Sequence, residues 1–183
     1  MKKMRINEIF YSLQGEGFWT GTPIIFVRFA GCNLHCDFCD TQHDTFLEMT
    51  EAEILSEIRK FPACRVCLTG GEPSLQITQS FIDLLHREGY IIHIETNGTN
   101  ALPNGIDWIT LSPKSKNIVL QKAGELKIVY INTVGLEKWL TFNAGHFFLQ
   151  PCSNQNTAEV VDYVLAHPKW RLSLQTHKIL GIQ

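Results

Sequence analysis

The sequence predicts an α/β chain: a partial (β/α)6 barrel left open, with an N-terminal extension and short, modified helices. Three observations predict it. Strand-like and helix-like segments alternate along the chain, which implies a mostly parallel sheet with crossover connections. Polar, glycine-rich sequences follow the strand-like segments, where such folds place their chemistry. The 183 residues also fall short of the roughly 250 that a closed eightfold barrel takes. About six units in one domain spanning 1–183 fit better.

Taken in order, Met1 to Phe10 alternates charged and apolar residues and has no apolar signal-peptide core. Ile24 to Ala30 (IIFVRFA) is a buried-strand run that leads into a cysteine-rich loop. Thr50 and Glu53 form a capping box ahead of a helix through about Phe61, because hydroxyl and carboxylate can satisfy free N–H groups reciprocally. Arg65 to Thr69 is a strand ending at Gly70-Gly71. A helix from about Leu75 to Glu88 follows, with Ile77, Phe81, Ile82, Leu84 and Leu85 on one side and Gly89 as its stop. Tyr90 to Glu95, Trp108 to Leu111, Leu126 to Ile131, His146 to Leu149 and Trp170 to Leu174 are further strands. Leu136 to Phe142 is a short helix and Ala158 to Leu165 another.

Composition narrows the class. Hydrophobic residues are 44% and charged residues 19%, a globular balance. Sixteen Lys and Arg stand against 18 Asp and Glu, a net charge of -2 with no basic tract, so no nucleic-acid partner is expected. No run approaches the roughly 18 apolar residues of a membrane helix, so neither a membrane nor export is expected, and the expected location is the cytoplasm. Six cysteines in such a chain point to metal or redox chemistry rather than disulfides.

Cys32-x3-Cys36-x2-Cys39 concentrates three of those cysteines in one loop. Thiolates are soft ligands suited to iron and zinc. Two other readings compete. Cys36-x2-Cys39 with Cys64-x2-Cys67 would make a four-cysteine zinc set, but residues three apart on a strand point to opposite faces, and Cys32 is left unused. Buried, inert thiols describe Cys64, Cys67 and Cys152, not three cysteines within eight residues of a polar loop.

The cysteine spacing resembles the signature of the radical S-adenosylmethionine superfamily. That resemblance implies a [4Fe-4S] cluster on Cys32, Cys36 and Cys39, with one iron free to chelate S-adenosylmethionine, whose reductive cleavage yields a 5′-deoxyadenosyl radical. Phe38 stands where the superfamily packs an aromatic ring on adenine, and Gly70-Gly71-Glu72-Pro73 resembles its segment for the methionyl amino group.

Phe10-Tyr11-Ser12-Leu13-Gln14-Gly15-Glu16-Gly17, Arg28 and Cys39-Asp40-Thr41 together resemble the 7-carboxy-7-deazaguanine synthase family, and the likeness runs to the closing Gln175-Thr176-His177-Lys178. It implies a carbon–nitrogen lyase of queuosine and 7-deazapurine biosynthesis. The reaction converts 6-carboxy-5,6,7,8-tetrahydropterin to 7-carboxy-7-deazaguanine with release of ammonia. A homodimer, Mg2+, and a reducing partner such as flavodoxin or ferredoxin are implied with it. By the same resemblance Leu13, Gln14, Gly15, Glu16, Arg28, Thr69 and Gln183 contact the pterin, Arg28 taking its carboxylate. Thr41 offers an oxygen to Mg2+, and Asp40, Gly71, Glu72, Ser112, Pro113, Lys114 and Gln150 join Phe38 around S-adenosylmethionine. Two alternatives stand beside it: a glycyl-radical activating enzyme, which has no use for the SLQGEG segment or Arg28, and a zinc-stabilised binding module.

Overall fold

The computed structural model describes residues 2–39, 45–131 and 135–183. A nine-stranded sheet runs through it in the order β3-β1-β2-β4-β5-β6-β7-β8-β9. The strands are β1 (Met4–Leu13), β2 (Pro23–Phe29), β3 (Leu47–Met49), β4 (Arg65–Gly70), β5 (Ile91–Thr96), β6 (Trp108–Leu111), β7 (Lys122–Tyr130), β8 (Asn143–Pro151) and β9 (Arg171–Leu172). From β2 to β9 all neighbours are parallel, as expected, while β1 and β3 pair antiparallel at the edge. The helices are α1 (Glu51–Ile58), α2 (Gln79–Arg87), α3 (Thr157–Ala166) and the five-residue α4 (Thr176–Leu180).

Several expectations shift. The N-terminal extension is itself the longest strand of the sheet, and β3 was not foreseen. In β1 charged residues punctuate the apolar ones because one side faces a cavity, and β3 is only three residues long. The helix expected from Leu75 begins at Gln79, where the Thr78 side chain caps Phe81 N; Pro73–Leu75 is a separate 3-10 turn. The helix at Leu136–Phe142 is likewise a 3-10 segment, Glu137–Thr141. The β5–β6 and β6–β7 connections carry no helix at all. The Thr50–Glu53 capping box forms as the sequence indicates.

The two faces of the sheet differ in chemistry. On the outer face Ile25, Val27, Val66, Leu68, Ile92 and Ile94 pack against Ile54, Ile58, Phe81 and Leu85 of α1 and α2. A second aliphatic cluster joins Leu126, Ile128 and Leu149 to Val160 of α3 and to Trp170. The inner face takes the alternate residues: Arg65, Cys67 and Thr69 on β4, His93 and Glu95 on β5, Glu125 and Lys127 on β7. The β1–β2 connection crosses this face. Gly17 N donates to Ser173 Oγ at 2.9 Å and Phe18 N to Glu125 Oε2 at 2.7 Å, so the sheet curls until its first hairpin meets its last strands.

The N-terminal ends of the barrel strands are closed by rings. Phe18 stacks against both Trp108 and His146, with centroids at 5.1 and 4.4 Å. Trp19 meets Trp108 edge-on at 5.6 Å and His93 at 5.3 Å, and the Arg65 guanidinium lies 4.3 Å from its ring. No helix among the described residues is long and apolar enough to cross a membrane.

Candidate functional site

The cysteine loop is held by the glycines after β4. Gly71 N donates to Phe29 O and Glu72 N to Gly31 O, each at 2.9 Å. A Cβ on Gly71 would lie 2.0 Å from Gly31 O, so only glycine allows the two loops to close together. Glu72 is fully buried. Its carboxylate accepts from Thr96 Oγ1 and Asn97 N at 2.7 Å and from Ser74 N at 3.1 Å. Asn97 Nδ2 donates to Asn33 Oδ1 at 3.0 Å, and Asn33 Nδ2 reaches Thr99 Oγ1 at 2.8 Å. Glu72 therefore braces the rim with its carboxylate while lining the cavity beneath it.

Cys32, Cys36 and Cys39 line one wall of a cavity of about 670 Å³. Cys39 N donates to Cys36 O at 3.0 Å, and Leu34 N to Cys32 Sγ at 3.4 Å. Burial pushes the Cys36 thiol above its ordinary value; Cys39 and Cys32 push the same way, and Lys114 opposes them. Crowded thiolates repel one another until a cationic core offsets their charge, and coordination deprotonates the thiol. The donors thus fit an iron–sulfur cluster, in which each thiolate takes its own iron. The zinc set does not assemble: Cys67 is buried inside β4 and Cys64 is exposed before its start, away from the rim.

Opposite the cysteines, the cavity floor is a buried charge network. Lys127 is paired with Glu16 and lies 3.8 Å from Glu95. Glu16 also accepts from Gln175 Nε2 at 2.9 Å. Glu95 accepts from Gln14 Nε2 at 3.1 Å and Thr69 Oγ1 at 2.9 Å. Burial raises Glu16, but the Lys127 charge and hydrogen bond outweigh it and hold the carboxyl below its usual range. Burial likewise disfavours the Lys127 ammonium, and Glu16, Glu95 and Glu125 together override it, raising its pKa. Glu125 is raised by burial, with Lys127, Phe18 N and Thr110 opposing. Nearer the cysteines, Lys114 Nζ donates to Ser112 Oγ at 2.7 Å and lies 5.5 Å from the Phe38 ring. Burial brings its ammonium down to about 8, with Lys127 adding to the shift.

On the third wall Arg28 Nε donates to Glu8 Oε1 at 2.6 Å across the β1–β2 pair. The Phe10 ring supports the guanidinium at 5.5 Å. Gln183 Nε2 bonds the other Glu8 oxygen, while Ser12 Oγ donates to Gln183 O at 2.6 Å. The chain's last residue is thus tied to the arginine through Glu8. Arg28 is engaged in an ion pair through Nε, and the residue lines the cavity.

The structure brings together on that cavity Leu13, Gln14, Gly15, Glu16, Arg28, Thr69, Gln183, Phe38, Gly71, Glu72, Ser112, Lys114 and Gln150 with the three cysteines. Pro113 departs from the expectation: it borders an adjoining shallow depression with Lys116 and Trp139. Asp40 and Thr41 lie outside the described residues. The sequence reading missed Glu8, Glu95 and Lys127. For Glu95 and Lys127 a signal exists in the sequence, and Arg28 shares it: a charge at an inward position of an otherwise apolar strand.

Comparison with known proteins fits this arrangement. Residues 26–131 match the profile of the Radical SAM superfamily. The chain is 56% identical over 180 residues to 7-carboxy-7-deazaguanine synthase from Bacteroides thetaiotaomicron, covering 98% of each. It is 40% identical over 208 positions to 7-carboxy-7-deazaguanine synthase from Bradyrhizobium diazoefficiens, covering 97% of this chain and 98% of the relative. The crystal structure of QueE from Escherichia coli matches with a TM-score of 0.82 and 29% identity over 94% of both chains.

Proposed function

The chain belongs to the 7-carboxy-7-deazaguanine synthase family of the Radical SAM superfamily, and from that membership we propose that it converts 6-carboxy-5,6,7,8-tetrahydropterin to 7-carboxy-7-deazaguanine with release of ammonia. The observation that carries the reading is one cavity that the three thiols and the Gln14, Glu16, Arg28 and Thr69 side chains all line. Membership makes it a radical SAM enzyme, with a [4Fe-4S] cluster and S-adenosylmethionine as its cofactors. When bound, these supply the one-electron chemistry that takes hydrogen from the substrate.

The residues of this chain do the rest. Cys32, Cys36 and Cys39 hold the cluster. Phe38, Gly71, Ser112, Lys114 and Gln150 line the S-adenosylmethionine side; Pro113 supports that segment from outside the cavity, and Glu72 acts by bracing the rim. Arg28 receives the substrate carboxylate with its terminal nitrogens, oriented by Glu8, while Gln183 steadies Glu8. Leu13, Gln14, Gly15 and Thr69 frame the ring. Glu16 and Glu95 present carboxylate oxygens to its donor-bearing edge. Thr41 serves Mg2+ and Asp40 S-adenosylmethionine, both in a segment outside the described residues. The same proposal covers a single domain over residues 1–183, a homodimer, a flavodoxin- or ferredoxin-type reductant and a cytoplasmic location.

Reconstituted protein given reductant, S-adenosylmethionine, Mg2+ and carboxytetrahydropterin should form the deazaguanine product. Intact cofactor cleavage without that product would overturn the substrate assignment.

A further inference from the structure

The connection from β1 to β2 spans the inner face from the cavity to the aromatic base, and its course leaves little slack. Gln14 N donates to Thr22 O and Gly21 N to Gln14 O, both at 2.8 Å, while Thr22 N donates to Trp19 O at 3.0 Å. A Cβ on Gly15 would meet His177 Nδ1 at 2.1 Å, and one on Gly17 would meet Glu125 Oε1 at 2.3 Å. Gln14 and Glu16 hang from the upper part of this loop and Trp19 from the lower part. Trp19 is wedged between Arg65, His93 and Trp108, which come from three successive strands. Its indole N–H is buried with no hydrogen-bond partner among the described residues, so packing rather than hydrogen bonding keeps it there.

The two ends of the loop respond differently to a ligand. Polar contacts such as Lys127 with Glu16 and Gln14 with Glu95 can exchange partners when a donor-rich ring arrives. Ring stacking at the base has nothing to exchange. We propose that Trp19 is a positioning residue for substrate: its seat at the base sets how far the loop rises, and so fixes the height of Gln14 and Glu16 in the cavity. This rests on the reading that those two side chains contact the pterin. Trp19 lies three positions after Glu16, a reach of about 10 Å at most, so a shift of the indole passes directly to the carboxylate.

The test uses reconstituted holoenzyme with saturating S-adenosylmethionine and varied carboxytetrahydropterin. Trp19→Ala is expected to raise the pterin KM about tenfold or more while kcat falls by less. Cluster content and the KM for S-adenosylmethionine should not change. Trp19→Phe, which keeps the ring and lacks the unpaired donor, should restore the pterin KM to near wild type. In a Glu16→Gln background the Trp19→Ala effect should shrink, because the group it positions has already been weakened. A core control on the outer face, Leu85→Ala, should lower the melting temperature without moving the pterin KM.

Additive effects of Trp19→Ala and Glu16→Gln would overturn the proposal, as would equal loss of both KM values and kcat in parallel with melting temperature. If Trp19→Ala does not fold, Trp19→Leu replaces it under the same criteria. If Glu16→Gln itself leaves the pterin KM untouched, the underlying site reading fails. If Glu16→Gln raises it and Trp19→Ala does not, only the positioning role fails.

Discussion

The rim and the base of the inner face are built from opposite materials. Around the cavity, from rim to floor, stand glycines, thiols and a buried lysine among carboxylates; at the base, only a few residues along the same strands, stand tryptophans, a phenylalanine and neutral histidine. Burying Lys127 with Glu16 and Glu95 is a poor way to gain stability, since desolvation can exceed the attraction. Stacked rings add about 0.5–1.5 kcal/mol per pair beyond their burial. The contrast teaches that the polar layer is kept for what it binds, and that the aromatic layer holds the polar one in place.

The largest effect that would break this division is loss of the cluster. Cys36→Ala should abolish iron and sulfide binding and, with it, cleavage of S-adenosylmethionine, whereas Cys64→Ala should leave both intact. Cys64 is exposed before β4 begins, outside the cavity. Sulfide lost from the Cys64 variant would mean that the metal site extends beyond the rim.

Next comes the floor. Lys127→Met leaves Glu16 and Glu95 without their buried cation, and breaking such a pair costs about 3–5 kcal/mol. Denaturant unfolding should show that loss, and the pterin KM should rise with it. A variant as stable as wild type would show that the carboxylates simply protonate or reach water, and that the floor is less enclosed than its burial indicates.

The base should reveal itself by pH. His93 is brought down to about 4, first by burial and then by Arg65, with Asp107 opposing. The unfolded chain takes up this proton near pH 6.5, the folded chain only near 4, so stability is lost as pH falls through that window. Going from pH 7 to 5 should cost about 2 kcal/mol from this residue. Glu125, raised by burial, works in the opposite direction and is common to both proteins when wild type is compared with His93→Gln. Glu16, held below its usual range, loses its contribution only at still lower pH. Equal acid sensitivity in the two proteins would remove His93 as the cause.

What could be read from the sequence follows the same line. Cys32-x3-Cys36-x2-Cys39, Gly70-Gly71-Glu72 and Leu13-Gln14-Gly15 are local in sequence, and each sits where the strand–loop alternation put it. The Glu8–Arg28–Gln183 tie and the Lys127–Glu16 pair join residues up to 175 and 111 positions apart, and no local pattern marks such partners. The bracing contacts of Glu72 are not legible in the sequence for a related reason. Its buried carboxylate is filled by Thr96 and Asn97 from the next strand end. The base escaped notice because Trp19, His93 and Trp108 each look unremarkable alone, and they become a layer only through the parallel register of His93 with Trp108.

The smallest expected effect lies outside both layers and tests whether they are insulated from the outer face. Thr50 caps α1, its hydroxyl accepting from Glu53 N at 3.3 Å while the Glu53 carboxylate accepts from Thr50 N at 2.7 Å. Thr50→Ala removes one orphan donor's partner and should cost about 1 kcal/mol. That is a few degrees in melting temperature for a chain of this size. Because α1 packs through Ile54, Leu55 and Ile58 onto the outer cluster, cluster content and the pterin KM should stay at wild-type values. A route by which they could change is β3, which directly precedes the cap and pairs with Met4, Arg5 and Ile6 of β1. A fall in cluster content from so small a loss of stability would therefore show that the rim depends on the edge of the sheet as well as on its base.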